Sequence, residues 1–259
     1  MRHLTSAALL AALCSVALPA PAGAQAKPQP RPPRPATAEP RIYLLINGGY
    51  QPSTTSFDDD FSATVHQEQQ TTEVSYPVDA GPVFEGGAAI RLWKGLAVGG
   101  VVSKFSVDGT GHVTSLIPHP LLFQHNREVT GDPDNLRREE TAVHIQAQYH
   151  LPLTRRLRVV LAGGPSVIDI KQLMVINVRY AETYPYDTAT YEGVDTKRAT
   201  GTASGFNAGV DVQWMFNRSV GVGGLVRVTK ATVDLGIDNR TIQVDAGGTQ
   251  LGVGVRFAF

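Results

Sequence analysis

The first candidates for chemistry are charged residues that stand alone in apolar segments. Glu85, Arg91, Asp211, Arg227 and Arg256 each lie between apolar or glycine neighbours. Opposite charges in such surroundings normally pair, because an unpaired buried charge is very costly. Two interpretations follow. One is a hydrogen-bonded polar core, which we favour; the other is a pore gate in which Glu85 or Asp211 forms a switchable pair with Arg227 or Arg91.

The histidines do not have the spacing of a metal site. His144 and His150 share one face of an alternating segment, but six residues of strand separate them by about 20 Å. His112, His119 and His125 have neither HxH nor HExxH spacing. We therefore predict no bound metal and interpret these three as loop residues whose order depends on pH.

Two further clusters lack the arrangement that their possible chemistry requires. The adjacent carboxylates Asp58, Asp59 and Asp60 lack the spaced ligands of a calcium loop, and we interpret them as a solvated acidic loop tip. His112 and Ser115 are near each other in sequence, but a hydrolase needs a serine, a histidine and usually an acid in one place. The sequence predicts neither a cofactor nor a catalytic site.

The elements that must position these residues are strands, because apolar and polar residues alternate with a period of two from Arg41 onward. The clearest segment is GFNAGVDVQWMF, which places Phe206 and Trp214 on one face and Asn207 and Asp211 on the other. Eight such segments are predicted: 41–50, 83–93, 96–107, 141–151, 157–170, 205–216, 220–233 and 247–259.

Short and long connections alternate along the chain. The short ones are 94–95, 152–156 and 217–219, whereas 51–82, 108–140 and 171–203 are long and 234–246 is intermediate. An up-and-down sheet would place all short turns at one end. Eight strands with this asymmetry match a bacterial outer-membrane barrel, in which ~9–11 residues cross the hydrocarbon layer. A soluble lipocalin-type barrel with an apolar interior is the rival, and alternation alone does not separate the two.

Aromatic and glycine residues support the membrane interpretation. Trp93, Trp214, Phe216, Phe257 and Phe259 lie near the short-turn ends, where an aromatic girdle would meet the membrane interface. Glycine relieves crowding in a narrow barrel, and glycine pairs recur inside strands at 48–49, 86–87, 99–100, 163–164 and 223–224. The last strand, LGVGVRFAF, completes its apolar face at Phe259, as expected if it pairs with the first strand to close the sheet.

The start of the chain differs in composition from the rest. Residues 1–24 have the pattern of a cleavable export signal, with small residues that suit cleavage after 24 or 26. Residues 25–40 are predicted to be a proline-rich linker and 41–259 the barrel domain. Cys14, the only cysteine, falls in the signal, so no disulfide is expected afterwards. Lys and Arg number 23 and Asp and Glu 23, and this balance argues against a nucleic-acid partner.

Together these features resemble the small outer-membrane β-barrel family, the OmpA-like transmembrane barrel and its relatives, without a peptidoglycan-binding domain. The resemblance covers 41–259 as a pattern of strands and loops rather than as a motif. It implies an all-β, eight-stranded antiparallel up-and-down transmembrane β-barrel in the bacterial outer membrane, with short periplasmic turns and long outer loops. The terminal RFAF resembles the signal read by the barrel-assembly machinery, which would be a partner together with outer-membrane lipid.

The long loops leave three functions open. We expect a non-catalytic envelope-structural or surface-contact role, with a surface ligand bound through 51–82, 108–140 and 171–203. The last of these is rich in tyrosine, which suits adaptable contacts. The apolar run LIPHPLLF, 116–123, is expected to fold over the barrel mouth as a lid, with an exposed contact patch as the alternative. A narrow channel for ions or small solutes is the second function, and a lipid-modifying outer-membrane enzyme is the third.

Overall fold

The computed structural model of the protein describes residues 40–52 and 55–259. The predicted export signal and nearly all of the predicted linker lie outside these residues, so both stay predictions. No helix in the described part of the chain is long and apolar enough to cross a membrane. The described strands are β1 (Ile42–Gln51), β2 (Thr55–Val65), β3 (Glu68–Val78), β4 (Gly81–Trp93), β5 (Leu96–Val107), β6 (His112–Pro118), β7 (Asn126–Gly131), β8 (Arg138–Pro152), β9 (Leu157–Glu182), β10 (Ala189–Met215), β11 (Val220–Ile237) and β12 (Arg240–Ala258).

Eight of these strands close into an antiparallel barrel in the order β1-β12-β11-β10-β9-β8-β5-β4. Every one of the eight predicted segments supplies a strand of this ring, and the three predicted short turns join its neighbouring strands at one end. The ring closes between β1 and β12, where Tyr43 lies opposite Ala258 and Tyr50 opposite Leu251. The backbone of Phe259 donates to the Ile42 carbonyl at 2.9 Å and accepts from its N–H at 3.0 Å. The predicted fold is therefore confirmed.

The segments predicted as long loops are mostly strands, and this part of the prediction is wrong. β2, β3, β6 and β7 form a separate four-stranded sheet. β9 continues to Glu182 and β10 begins at Ala189, so most of 171–203 is a hairpin that prolongs the barrel wall. β11 and β12 prolong it in the same way. We call β2, β3, β6, β7 and the prolonged ends of β8 to β12 the outer domain.

The polarity of the inward side chains reverses along these strands. From Arg227 onward on β11 the inward residues change from polar in the barrel to apolar in the outer domain, while the outward residues change in the opposite sense. The inward residues in order are Arg227, Thr229, Ala231, Val233, Leu235 and Ile237, and the outward ones are Val226, Val228, Lys230, Thr232 and Asp234. The barrel thus has an apolar exterior, as lipid requires, and this rules out the soluble-barrel alternative.

The outer domain has an apolar core of its own. Its two sheets contribute buried side chains to one cluster, which includes Val74, Tyr76, Val113, Ile117, Ile170, Met174, Leu235 and Val244. The Tyr76 hydroxyl accepts a hydrogen bond from the Val175 N–H at 2.8 Å, so the polar end of this buried ring is satisfied. This core explains why the long connections fold into strands: each prolonged strand and each hairpin buries an apolar face against another.

In each of the five glycine pairs, one glycine faces the barrel interior and the other faces the exterior. At the inward glycine of each pair an added Cβ would lie 2.1–2.8 Å from its nearest neighbour, and at the outward glycine 3.3–4.0 Å. At Gly49, for example, the Cβ would lie 2.2 Å from the Leu251 carbonyl oxygen. The inward positions therefore have no room for a side chain, which lets the strands curve tightly.

Candidate functional site

Two buried ion pairs occupy the middle of the barrel. Glu85 on β4 accepts a short hydrogen bond from Arg227 Nη2 on β11. Asp211 on β10 accepts two 2.8 Å hydrogen bonds from Nε and Nη2 of Arg256 on β12. Asn47 joins the two pairs, because its Nδ2 donates to Glu85 and its Oδ1 accepts from Arg256 Nη1 at 2.5 Å. The paired side chains are at most 8% exposed, so these residues form one buried network.

The observed pairing agrees only in part with the prediction. Glu85 pairs with Arg227, as one of the predicted combinations has it, but Asp211 pairs with Arg256. The second pair reaches across β11 at Gly223, where a Cβ would lie 2.8 Å from both Asp211 Oδ1 and Arg256 Nε. Arg91 lies half-buried at the short-turn end of β4. The structure therefore places all five predicted residues on inward positions, and it pairs Glu85 with Arg227 and Asp211 with Arg256.

A second polar layer surrounds His144, which is fully buried. Its Nε2 lies 3.0 Å from the Ser103 hydroxyl and its Nδ1 lies 2.8 Å from the Ser166 hydroxyl. Asn207 donates to Ser166 at 2.9 Å and accepts from Gln146 at 2.6 Å. These side chains fill the cross-section of the barrel at this level, as is usual for eight strands.

A small cavity remains among the inward side chains. Its volume is about 40 Å³, and its wall includes Tyr43, His150, Arg158 and Asp211. The His150 ring stacks on Tyr43 with 4.2 Å between ring centroids. A space of this size holds a few water molecules and no larger solute.

A third ion pair, which the sequence analysis missed, lies where the barrel meets the outer domain. Arg138 Nε donates to Glu140 at 2.7 Å, and Arg138 Nη2 donates to the Asp245 carbonyl at 2.7 Å. Across the strand ladder Glu140 lies opposite Ile170, which already belongs to the apolar core. Arg138 and Glu140 lie on the same face of β8 as His144. Extending the alternating pattern upstream of Thr141 would therefore have predicted that both side chains point inward. The polar interior ends at this pair.

The far end of the outer domain is held by Arg127. This buried side chain donates to Glu182 at 2.5 Å, to the Tyr186 carbonyl at 3.0 Å and to the Pro118 carbonyl at 2.8 Å. One guanidinium thus joins the tip of the β6–β7 hairpin, 119–125, to the tip of the β9–β10 hairpin, 183–188. The three bonds fix these tips to each other.

The lid expected at 116–123 is not formed. Ile117 is buried in the outer core, but Leu121, Leu122 and Phe123 are 66%, 52% and 74% exposed. These residues form the tip of the β6–β7 hairpin, whereas the apolar core closes the barrel mouth. The alternative interpretation, an exposed apolar patch, describes them correctly.

The acidic triplet is not a loop tip. Asp59 is buried on β2 and accepts a 2.8 Å hydrogen bond from Arg240, while its neighbours Asp58 and Asp60 point to the other face and are exposed. Burial raises the pKa of the Asp59 carboxyl, and the nearby Arg240 offsets only part of that effect. The solvated-tip interpretation failed for Asp59 because the segment is a strand, whose alternation carries one carboxylate inward.

The other candidate chemical groups are separated in space. His112 is exposed and its Nδ1 lies 2.7 Å from Asp132. Ser115 is fully buried on the opposite face of β6, with Gln70 and Thr72 within hydrogen-bond distance of its hydroxyl. Among residues 40–52 and 55–259 there is no group of three His, Cys, Asp or Glu residues placed to hold a metal ion.

The predicted aromatic residues line the exterior near the short turns. Trp93, Trp214, Phe216 and Phe259 are exposed, and Phe257 is half-buried beside Phe259 with 6.5 Å between ring centroids. Lys94 lies over the Trp93 ring at 4.9 Å from its centroid. This is the position that an interfacial girdle would occupy. The assembly role of the terminal phenylalanine stays a prediction.

Comparison with known proteins places the chain in a family. The family model described as outer membrane protein beta-barrel domain matches residues 8–257, whereas a search of curated proteins found no match. The outer membrane protein OprG from Pseudomonas aeruginosa is 11% identical, with a TM-score of 0.47 over 85% of this chain and 97% of that one. The outer membrane protease OmpT from Escherichia coli is 8% identical, with a TM-score of 0.44 over 85% and 97%. The attachment invasion locus protein Ail of Yersinia pestis is 10% identical, with a TM-score of 0.39 over 84% and 99%. Because the family model spans almost the whole chain, and the ring of eight strands has the apolar exterior that lipid demands, the chain belongs to the outer membrane protein β-barrel domain family and is a protein of the bacterial outer membrane.

Proposed function

We propose that the protein is a non-conducting, non-catalytic barrel that carries a rigid outer domain for contact at the cell surface. The observation that supports this proposal best is the reversal of polarity along the barrel axis. Conduction needs a polar path that continues from one side to the other. Here Glu85, Asp211 and Glu140 are each paired with an arginine, and the path then meets the apolar core that includes Ile170, Leu235 and Val244.

The size of the outer domain supports a surface role. Strands of ~9–11 residues suffice to cross the membrane, but β9 and β10 have 26 and 27 residues. The additional length forms a packed core and a fixed far end, so it presents a preformed surface rather than a set of mobile loops. Preformed surfaces bind with a smaller loss of conformational entropy.

A catalytic role has weaker support. His112 and Ser115 lie on opposite faces of one strand, and neither can activate the other. His144 contacts two serines, but it is fully buried inside the barrel without access for a substrate.

Single-channel recording in a planar bilayer tests the non-conducting part. We expect the refolded full-length protein to be silent, with a boiled sample as the control and gel mobility before heating as proof of folding. Discrete current steps that change on Glu85→Gln would overturn the proposal in favour of a channel.

Retention of cells tests the contact part. Cells that express the protein are compared with matched non-expressing cells on surfaces coated with lipid, with extracellular protein or with eukaryotic cells. We expect stronger retention on at least one surface. Equal retention on all of them would show that the outer domain has another purpose.

A further inference from the structure

We infer that the tip of the β6–β7 hairpin inserts into the surface of an apposed lipid bilayer. This inference rests on the proposed surface-contact function and names the site and the class of partner. The tip, 119–125, carries three consecutive apolar residues, Leu121, Leu122 and Phe123, each more than half exposed. We call these three residues the apolar tip. Three large apolar side chains at a convex end are costly in water and are explained by a partner that removes them from it.

Four backbone N–H groups around the apolar tip already have hydrogen-bond partners within the protein. His119 Nδ1 accepts hydrogen bonds from the N–H groups of Leu121 and Leu122 at 3.1 and 3.0 Å. The His119 N–H donates to the His125 carbonyl at 2.9 Å, and the Gln124 N–H donates to Glu68 at 2.7 Å. A lipid bilayer offers few partners to backbone groups, so a loop that enters it must satisfy them itself. A protein partner imposes no such condition, because it can supply the missing bonds.

The segment that carries the apolar tip has no charged side chain of its own. Residues 118–126, PHPLLFQHN, contain no lysine, arginine, aspartate or glutamate. Tyr184, on the neighbouring hairpin tip, is 76% exposed. Its ring lies 5.9 Å from Tyr186, which lies 6.4 Å from His119. A tyrosine beside an apolar projection matches the preference of this residue for the membrane interface.

The bilayer that the tip meets is not the one that holds the barrel. On β9 the last exposed apolar residue of the barrel exterior is Val167, and Glu182 lies about 15 residues farther along the strand. At ~3.3 Å per residue and a tilt of about 40° this puts the tip roughly 40 Å above the outer leaflet. The three bonds of Arg127 hold the tip to the end of that hairpin, so it cannot fold back.

Vesicle flotation tests the inference directly. Full-length protein is kept soluble in an amphipathic polymer, which offers no bilayer, and is mixed with phosphatidylcholine vesicles. Phe123→Ser should lower vesicle affinity roughly tenfold or more, because burial of one large apolar side chain contributes at least that factor. Leu116→Ser is the matched control, since Leu116 is exposed on the same hairpin but away from its tip. It should leave vesicle binding unchanged.

A second readout reports insertion itself. Phe123→Trp is placed in a background with Trp93→Phe and Trp214→Phe, so that its fluorescence comes from the tip alone. Vesicles with brominated acyl chains should quench this fluorescence. Absence of vesicle binding, equal binding by the Phe123→Ser variant, or binding without quenching would each overturn the inference.

The remaining outcomes separate this inference from the proposed function. The polymer-held protein could instead associate with itself and not bind vesicles. If Phe123→Ser abolished that self-association, the partner would be a second copy of the chain and the lipid partner would be overturned. Cell retention that persists in the Phe123→Ser variant would overturn the role of the apolar tip and leave the surface-contact function in place. Loss of that function itself would appear in the conductance and cell-retention experiments.

Discussion

Removal of the carboxylate at Glu85 should strongly destabilise the barrel. Glu85→Gln keeps the volume of the side chain but leaves Arg227 charged, and Arg227 is 2% exposed. Gln250 still accepts from its Nε and Nη2 at 3.2 and 2.8 Å, so the guanidinium keeps hydrogen bonds but loses its countercharge. Removal of one partner of a buried pair costs about 3–5 kcal/mol. Because Gln250 remains, we expect the lower end, about 3 kcal/mol.

Urea unfolding in phosphatidylcholine vesicles measures this cost. Fluorescence of Trp93 and Trp214, both exposed on the barrel exterior, follows the barrel, and gel mobility before heating reports the folded fraction. Asp238→Asn is the matched control, since Asp238 pairs with Lys197 at 2.6 Å and both side chains are about half exposed. An exposed pair contributes only about 0–1 kcal/mol.

The double variant decides whether the cost comes from the unpaired charge. Arg227→Met added to Glu85→Gln removes the remaining buried charge, so it should recover at least about 2 kcal/mol, because an uncharged replacement of a buried pair is often neutral. The reasoning is refuted if Glu85→Gln costs no more than the surface control, or if the second substitution adds to the loss.

Three further predictions concern the barrel wall, the outer core and the far end. Gly254→Ala should prevent formation of the folded gel species, because its Cβ would lie 1.9 Å from a backbone oxygen of β1, whereas Gly224→Ala, with 4.0 Å to its nearest neighbour, should fold normally. The pKa of the Asp59 carboxyl is raised in the folded protein. The protonated carboxyl therefore contributes stability that is fully present below the unfolded pKa of about 3.9 and is lost as the pH rises through the folded pKa. The stability of the wild type relative to Asp59→Asn should therefore fall as the pH rises above about 4, and a difference in unfolding free energy that does not change with pH would contradict this. Arg127→Lys should accelerate proteolysis of 183–188, because one ammonium cannot replace all three guanidinium bonds, and the exposed Arg137→Lys should not. Equal cleavage rates in the two variants would show that Arg127 does not hold the tips.

The barrel could be predicted from the sequence because its signal is local. Each lipid-facing position must be apolar, so segments such as GFNAGVDVQWMF carry the pattern within a few residues. The partners across the barrel could not be predicted in the same way. Asp211 and Arg256 are far apart in sequence, and their pairing depends on the order of the strands and on the space left by Gly223.

The outer domain escaped prediction for a different reason. On β9 both Met174 and Val175 are buried, and the β9–β10 register shifts between Asp195 and Thr196. Such an irregularity interrupts the alternation that reveals a strand. The pairing of β3 with β6, which places Val74 opposite Val113, joins two hairpins that β4 and β5 separate in sequence. Contacts of this kind leave no periodic signal in either hairpin alone.

The unusual length of β9 and β10 has a mechanical consequence. Their backbone ladder runs from Leu157 opposite Trp214 at the short-turn end to Glu182 opposite Ala189 at the far end. Tension applied at the far end would pass along both strands into the ring embedded in the membrane, with no hinge between them to absorb it. The ladders that join this hairpin to β8 and β11 would then be loaded along the strands, in shear, so that many hydrogen bonds share the force instead of opening one after another. A cell held through this protein would be tethered by a stiff rod that runs from the membrane to the contact.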